Sequence, residues 1–130
     1  MSFSADWLAL RAPADDRARA TDLIALAAER LTAPVSVCDL GAGTGATLRA
    51  LAGHLPRPQR WRLVDADAGL LAEAARLSAA SPREGVMMET HRADILATPA
   101  PWPSAPSLVT AAALFELTSA AWIAAVARAC

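Results

Sequence analysis

Three acids and three glycines carry the chemistry that this chain could do. Asp39 stands near the end of an apolar run, 35–40, and Gly41, Gly43 and Gly45 follow at alternate positions before a helical pattern starts at Ala46. A strand that passes through a glycine turn into a helix gathers backbone N–H groups at one end of a sheet. Glycine keeps that surface open, because no Cβ holds a ligand off the backbone. Asp65 ends a second apolar run, 61–64, and Asp94 follows a third, Val86 to Thr90. These residues describe a site for a nucleotide-like ligand.

Two templates fit the turn. Gly41-Ala42-Gly43-Thr44-Gly45-Ala46 satisfies Gly-x-Gly-x-x-Ala, a dinucleotide fingerprint, and Asp65 lies roughly 20 residues beyond Gly45, as a ribose-binding acid would. With Asp39 included, the same stretch also reads Asp-x-Gly-x-Gly-x-Gly. A carboxylate at the strand tip repels a pyrophosphate but attracts an ammonium or sulfonium. That asymmetry favours the second template.

The elements that must hold these residues alternate as in an α/β parallel sheet. Leu23, Ile24, Ala27 and Leu31 share a helical face, so a helix is expected over about 14–31, with Asp15 and Asp16 near its start, Arg30 near its end, and Arg17 and Arg19 solvated. Strand 35–40 follows, then a helix over about 46–55 closed by Gly53, Pro56 and Pro58. Strand 61–64, a helix over about 68–80 and strand 86–90 come next. The segment 97–107 holds four prolines and reads as a loop where a crossover helix would normally lie. Strand 108–113 leads to a last helix over about 119–129, capped by Thr118 or Ser119 and burying Trp122, Ile123 and Val126. Short right-handed crossovers give the strand order 3-2-1-4. Ligands bind beyond the carboxyl ends of such strands, where the order reverses beside strand 35–40.

The 130 residues suit one domain, 1–130, with 1–33 as a helical lead-in. An apolar share of 55%, with a mean hydropathy of +0.30, supports a buried core, although much of that share is alanine. All twelve basic residues are arginine and are scattered, and the net charge is −1, so the clustered basic face of a nucleic-acid binder is missing. No apolar stretch reaches the ~18–20 residues of a membrane span, and the first residues do not read as a signal peptide. Cys38 falls in an expected strand and Cys130 is the last residue, which argues against a disulfide framework and a metal site. The cytoplasm is the expected location.

The segment Val37-Cys38-Asp39-Leu40-Gly41-Ala42-Gly43-Thr44-Gly45 resembles motif I of the class I S-adenosylmethionine-dependent methyltransferases. Arg62 to Asp67 resembles the strand-two acid region of that family, His91 to Leu96 its strand-three end, and Leu108 to Glu116 its fourth motif. The resemblance covers about residues 35–117. It implies a Rossmann-like sheet and S-adenosyl-L-methionine as cofactor. It places Asp39 near the ligand's amino group, directly or through water, and the backbone of Gly41, Ala42 and Gly43 against the methionine part. Asp65 would accept from the ribose hydroxyls, Ala66 and Asp67 would flank the adenine, Asp94 would face its exocyclic amine, and Ile95 would pack on the ring. Ala111 and Ala112 would pass under the methionine part, and Arg11 or an arginine of the first helix would pair with its carboxylate.

Simpler roles stand beside these. The strand-tip acids can cap helices, Asp67 most simply of all, and Asp94 can cap a loop. His54 and His91 read as surface or packing residues. Phe3 and Trp7 are expected to close the core or a cleft, and Phe115 and Trp122 to lie in the core. Methyl transfer needs alignment more than a dedicated catalytic group, so the catalytic residues stay unassigned; Glu116 is the one acid considered as a base.

Members of the resembled family have seven strands, whereas four are expected here, which leaves strand 108–113 as an apolar edge. A truncated gene product or fragment is the favoured explanation, ahead of a domain completed by another chain or second copy across strand four, and of a reduced binding module. The expected function is methyl transfer to an unidentified acceptor, in a chain that truncation could leave inactive. The rivals are a nicotinamide-dependent oxidoreductase domain and a non-catalytic cofactor-binding or partner subunit.

Overall fold

A computed structural model describes residues 3–112, 114 and 118–130. Four parallel strands form one sheet in the order β3-β2-β1-β4: β1 is Val35–Leu40, β2 Gln59–Asp65, β3 Val86–Arg92 and β4 Leu108–Ala111. Helices α1 (Ala5–Ala18) and α2 (Thr21–Arg30) precede the sheet. Helix α3 (Ala46–Leu51) joins β1 to β2, α4 (Ala68–Ala80) joins β2 to β3, and α5 (Ala120–Ala129) follows β4. The expected strand order and the helix-free crossover before β4 are both present.

The alternation of side chains along β1 and β2 divides the core. Val35 and Val37 point to one face with Trp61 and Leu63, where Leu48, Leu51, Leu71 and Ala74 from α3 and α4 cover them. Cys38, Leu40 and Val64 point to the other face, against Ile95 and against Trp122 and Val126 of α5. Both faces of β1 are therefore covered, as parallel strands require. Registers align Thr90, Leu63, Asp39 and Thr110 in one row across the sheet.

Several boundaries differ from expectation. The first helical region is two helices, because Arg19 and Ala20 are extended (ψ 140° and 97°). The first begins at Ala5, where the Ser4 side chain accepts the Trp7 N–H, and it carries Pro13 inside it. Asp15 and Asp16 consequently lie near a helix end rather than a start, and they are held by Arg11 and Arg19. Helix α3 stops at Leu51, while Leu55 still packs in the core. Strand β4 ends at Ala111, and Ala113 lies outside the described residues. Ser119 is the cap of α5; Trp122 and Val126 are buried, but Ile123 is exposed.

Candidate functional site

The carboxyl ends of β1, β2 and β4 open into a cleft of about 1460 Å³ that α1 and α2 wall on the far side. It lies at the reversal of strand order between β1 and β4, where the geometry of a doubly wound sheet leaves room for a ligand.

The turn after β1 is built from glycines in the left-handed region: φ is +66° at Gly41, +56° at Gly43 and +86° at Gly45. Their surroundings differ. A Cβ on Gly41 would come within 3.2 Å of Leu114 Cδ1, whereas one on Gly43 would meet only Leu8 of α1, at 3.5 Å. The turn is fixed by the Ala42 N–H donating to the Val64 carbonyl at 2.9 Å and by the Arg49 guanidinium donating to the Thr44 carbonyl.

Asp65 reaches across from β2. Its Oδ2 accepts the Gly43 N–H at 2.9 Å, and its Oδ1 accepts the Asp67 N–H at 2.9 Å. Asp67 caps α4 by accepting from Gly69 and Leu70, and it also borders the cleft. Ala66 is exposed on the wall, and its carbonyl accepts from Arg92 Nε. Asp94 is exposed; its Oδ1 accepts the Leu96 N–H, so it turns the loop after β3 while facing the cleft. Ile95 borders the cleft from the core beneath, where its carbonyl accepts the Trp122 indole N–H. Gly41, Ala42, Gly43, Ala111 and Ala112 complete this side.

Asp39 is placed differently. It is 2% exposed and stands behind the wall, with Oδ1 accepting the Thr110 hydroxyl at 2.8 Å. Its Oδ2 is, among the described residues, the one buried side-chain polar atom without a hydrogen-bond partner. Burial pushes its acid up to about 7, against the Thr110 hydrogen bond and the Arg19 charge, which lower it; Asp65 adds a smaller push upward. A buried carboxyl with one unpartnered oxygen costs the fold stability.

On the opposite wall, Phe3 and Trp7 stack at 4.6 Å between ring centroids, and the Arg11 guanidinium sits 4.7 Å from the Trp7 ring. Both aromatics are 40% exposed and face the cleft rather than the core. Arg11 donates from both Nη2 and Nε to the single oxygen Oδ1 of Asp15, at 2.8 and 3.1 Å. Arg19, expected to be solvated, has a side chain only 17% exposed; it borders the cleft and approaches the Thr47 hydroxyl at 3.5 Å. It was hidden because the helix break that turns it inward has no glycine or proline to mark it. Thr110 was hidden too, although a polar residue in an otherwise apolar strand, paired in register with an acid, is a readable signal. His54 and His91 do not border the cleft, and Glu116 and Phe115 lie outside the described residues. Among the described residues no group of three or more His, Cys, Asp or Glu is placed to hold a metal, and no helix is long and apolar enough to cross a membrane.

A family model described as a methyltransferase domain matches residues 37–130. Among solved structures, the YcgJ protein from Bacillus subtilis is 24% identical with a TM-score of 0.56, over 77% of this chain and 40% of that one. CalS10, an amino pentose methyltransferase from Micromonospora echinaspora solved with SAM, is 20% identical with a TM-score of 0.55, over 99% of this chain and 51% of that one. Coclaurine N-methyltransferase, bound to N-methylheliamine and SAH, is 23% identical with a TM-score of 0.52, over 73% of this chain and 27% of that one. These likenesses are of fold, and this chain spans only 27 to 51% of the length of the three. A comparison with curated proteins found no match.

Proposed function

The chain belongs to the methyltransferase-domain family, and on that premise we propose that its cleft binds S-adenosylmethionine for methyl transfer to an acceptor. The observation that carries the reading is the joined wall of the site: a turn of three left-handed glycines tied through the Gly43 N–H to the Asp65 carboxylate. The residues present fit such a ligand. Glycine backbone lies open for the methionine part, and each oxygen of Asp65 keeps a lone pair for ribose hydroxyls. Ala66, Asp67, Asp94 and Ile95 border the cleft, which supports the adenine position that the family resemblance gives them, and Ala111 and Ala112 border it where the methionine part would lie. Arg19, turned into the cleft beside Thr47, supplies the cation for the carboxylate.

When bound, the cofactor supplies an electrophilic methyl group on a sulfonium. The contribution of this chain is to hold that end against the turn and to shield it from water under α1, so alignment rather than a proton-transfer residue is its share of catalysis. A buried acid behind the turn suits a cationic ligand and, when ionised, opposes a pyrophosphate, which weighs against the nicotinamide-dinucleotide reading of the same glycines. Among the described residues β4 is an edge strand, which supports pairing there with a second copy or a completing chain. Two free cysteines, one of them buried, accord with a reducing cytoplasm.

A thermal-shift titration with S-adenosylhomocysteine, beside reduced nicotinamide dinucleotide, tests the reading. Ligand at 100 times its Kd stabilises the fold by about 2.7 kcal/mol. A shift with the first ligand alone supports the proposal; a shift with the dinucleotide alone, or with neither, overturns it.

A further inference from the structure

Asp39 and Thr110 are register partners across β1 and β4, and they divide one task. Thr110 borders the cleft, whereas Asp39 is enclosed behind it. A threonine hydroxyl has one proton and two lone pairs. Here the proton is committed inward, to Asp39 Oδ1 at 2.8 Å, which leaves the oxygen able only to accept from the cleft side.

We propose that Thr110 Oγ is the acceptor for the α-ammonium group of the ligand's amino-acid end, with Asp39 as the positioning residue that turns the hydroxyl inward and neutralises the added charge from behind. The inference rests on the cofactor reading above and deepens it. It differs from direct contact by Asp39, whose oxygens are covered.

A proton balance follows. An ionised Asp39 can only accept, so Thr110 must donate to it and offers lone pairs to the ammonium. A protonated Asp39 can donate to Thr110, which frees the hydroxyl proton to face the cleft, where it would oppose another donor. Ammonium binding therefore selects the ionised acid and releases its proton to solvent wherever the empty site holds one. The groups facing Asp39 are consistent with this. Arg19 at the end of α1 and the Thr110 hydroxyl on β4 favour ionisation, while burial and Asp65 on β2 oppose it. The neighbouring Cys38 points to the other face, and burial pushes its thiol up to about 12, so it stays neutral. With the empty acid near 7, the affinity should weaken about tenfold from pH 8 to pH 6.

Isothermal titration calorimetry of the full chain with S-adenosylhomocysteine at pH 6, 7 and 8, in buffers of different ionisation enthalpy, tests this. The expected result is release of nearly one proton at pH 6 and almost none at pH 8. 5′-Methylthioadenosine, which lacks the amino-acid end, should bind without the pH dependence. Thr110→Val should lose both affinity for S-adenosylhomocysteine and proton release, and Thr110→Ser should keep both. Binding of S-adenosylhomocysteine with constant affinity and no proton release, or an unchanged profile in Thr110→Val, overturns this inference alone. Absence of binding at every pH overturns the cofactor reading and this one with it.

Discussion

Asp65 Oδ2 accepts the backbone N–H of Gly43 at 2.9 Å, so the tip of β2 is tied to the turn that leaves β1. The carboxylate holds two backbone groups from different loops, since its Oδ1 takes the Asp67 N–H. A ligand that met both the turn and Asp65 would find them already in register, with little ordering left to do.

Replacing Asp65 by Ala removes both acceptors. The free chain should lose about 1 kcal/mol, the net worth of a hydrogen bond or two to partly exposed N–H groups, read as a lower urea midpoint. The larger effect should fall on binding: the thermal shift with S-adenosylhomocysteine should vanish. Loss of stability with an undiminished shift would remove Asp65 from the site.

Two glycines of the turn should separate folding from binding. Gly43 at φ +56° has only Leu8 near a would-be Cβ, at 3.5 Å, and it borders the cleft. Gly43→Ala should therefore fold at a strain of roughly 1–2 kcal/mol, and weaken ligand binding at least tenfold by standing where backbone is needed. Gly45 at φ +86° is enclosed by Arg49 and Leu63 at 3.4 Å and Ala74 at 3.6 Å. Gly45→Ala should act chiefly on stability, since a side chain at φ +86° is strained whatever the space around it and the position faces the packed helices rather than the cleft. Urea denaturation beside calorimetry distinguishes the two.

Much of this arrangement was legible because its signals are local. Three alternating glycines after Asp39 place a turn without any knowledge of the sheet, and strand order follows from short right-handed crossovers. What stayed hidden depends on tertiary context. The break at Arg19 and Ala20 carries no glycine or proline, and α1 runs through Pro13. The division of labour between Asp39 and Thr110 needs the β1–β4 register, which joins residues 71 positions apart. The family resemblance puts Asp39 near the ligand's amino group, directly or through water; its burial, with Thr110 between it and the cleft, is visible only in the folded sheet.

Gln59 shows the same dependence in the core. At 2% exposure, its Nε2 donates to the carbonyls of Ala52 and Leu55, both at 2.9 Å, and its Oε1 accepts from Trp61 Nε1 at 2.8 Å. One side chain thereby closes the segment after α3 and satisfies the indole of a fully buried tryptophan. Gln59→Leu should destabilise the chain by about 3 kcal/mol or more, because an unsatisfied buried indole N–H and two carbonyls are left behind. A urea midpoint within error of the parent would show that water replaces the amide.

Asp39 should make the empty chain less stable as pH rises. Its folded-state value of about 7 stands above the ordinary 3.8, so between those values the native state binds more protons than the unfolded one. Stability from this group is then greatest below about pH 4, falls through the interval and levels off above 7, a loss of at most about 4 kcal/mol. Asp39→Asn should remove that slope, matching the parent near pH 4 and exceeding it at pH 8, as read by urea midpoints at each pH. Saturating S-adenosylhomocysteine should narrow the gap at pH 8, because an ammonium at Thr110 favours the ionised acid only in the parent. A buried carboxylate that weakens the empty fold and is relieved by a cationic ligand is one retained for binding. Equal pH profiles in parent and variant would instead make Asp39 a packing residue.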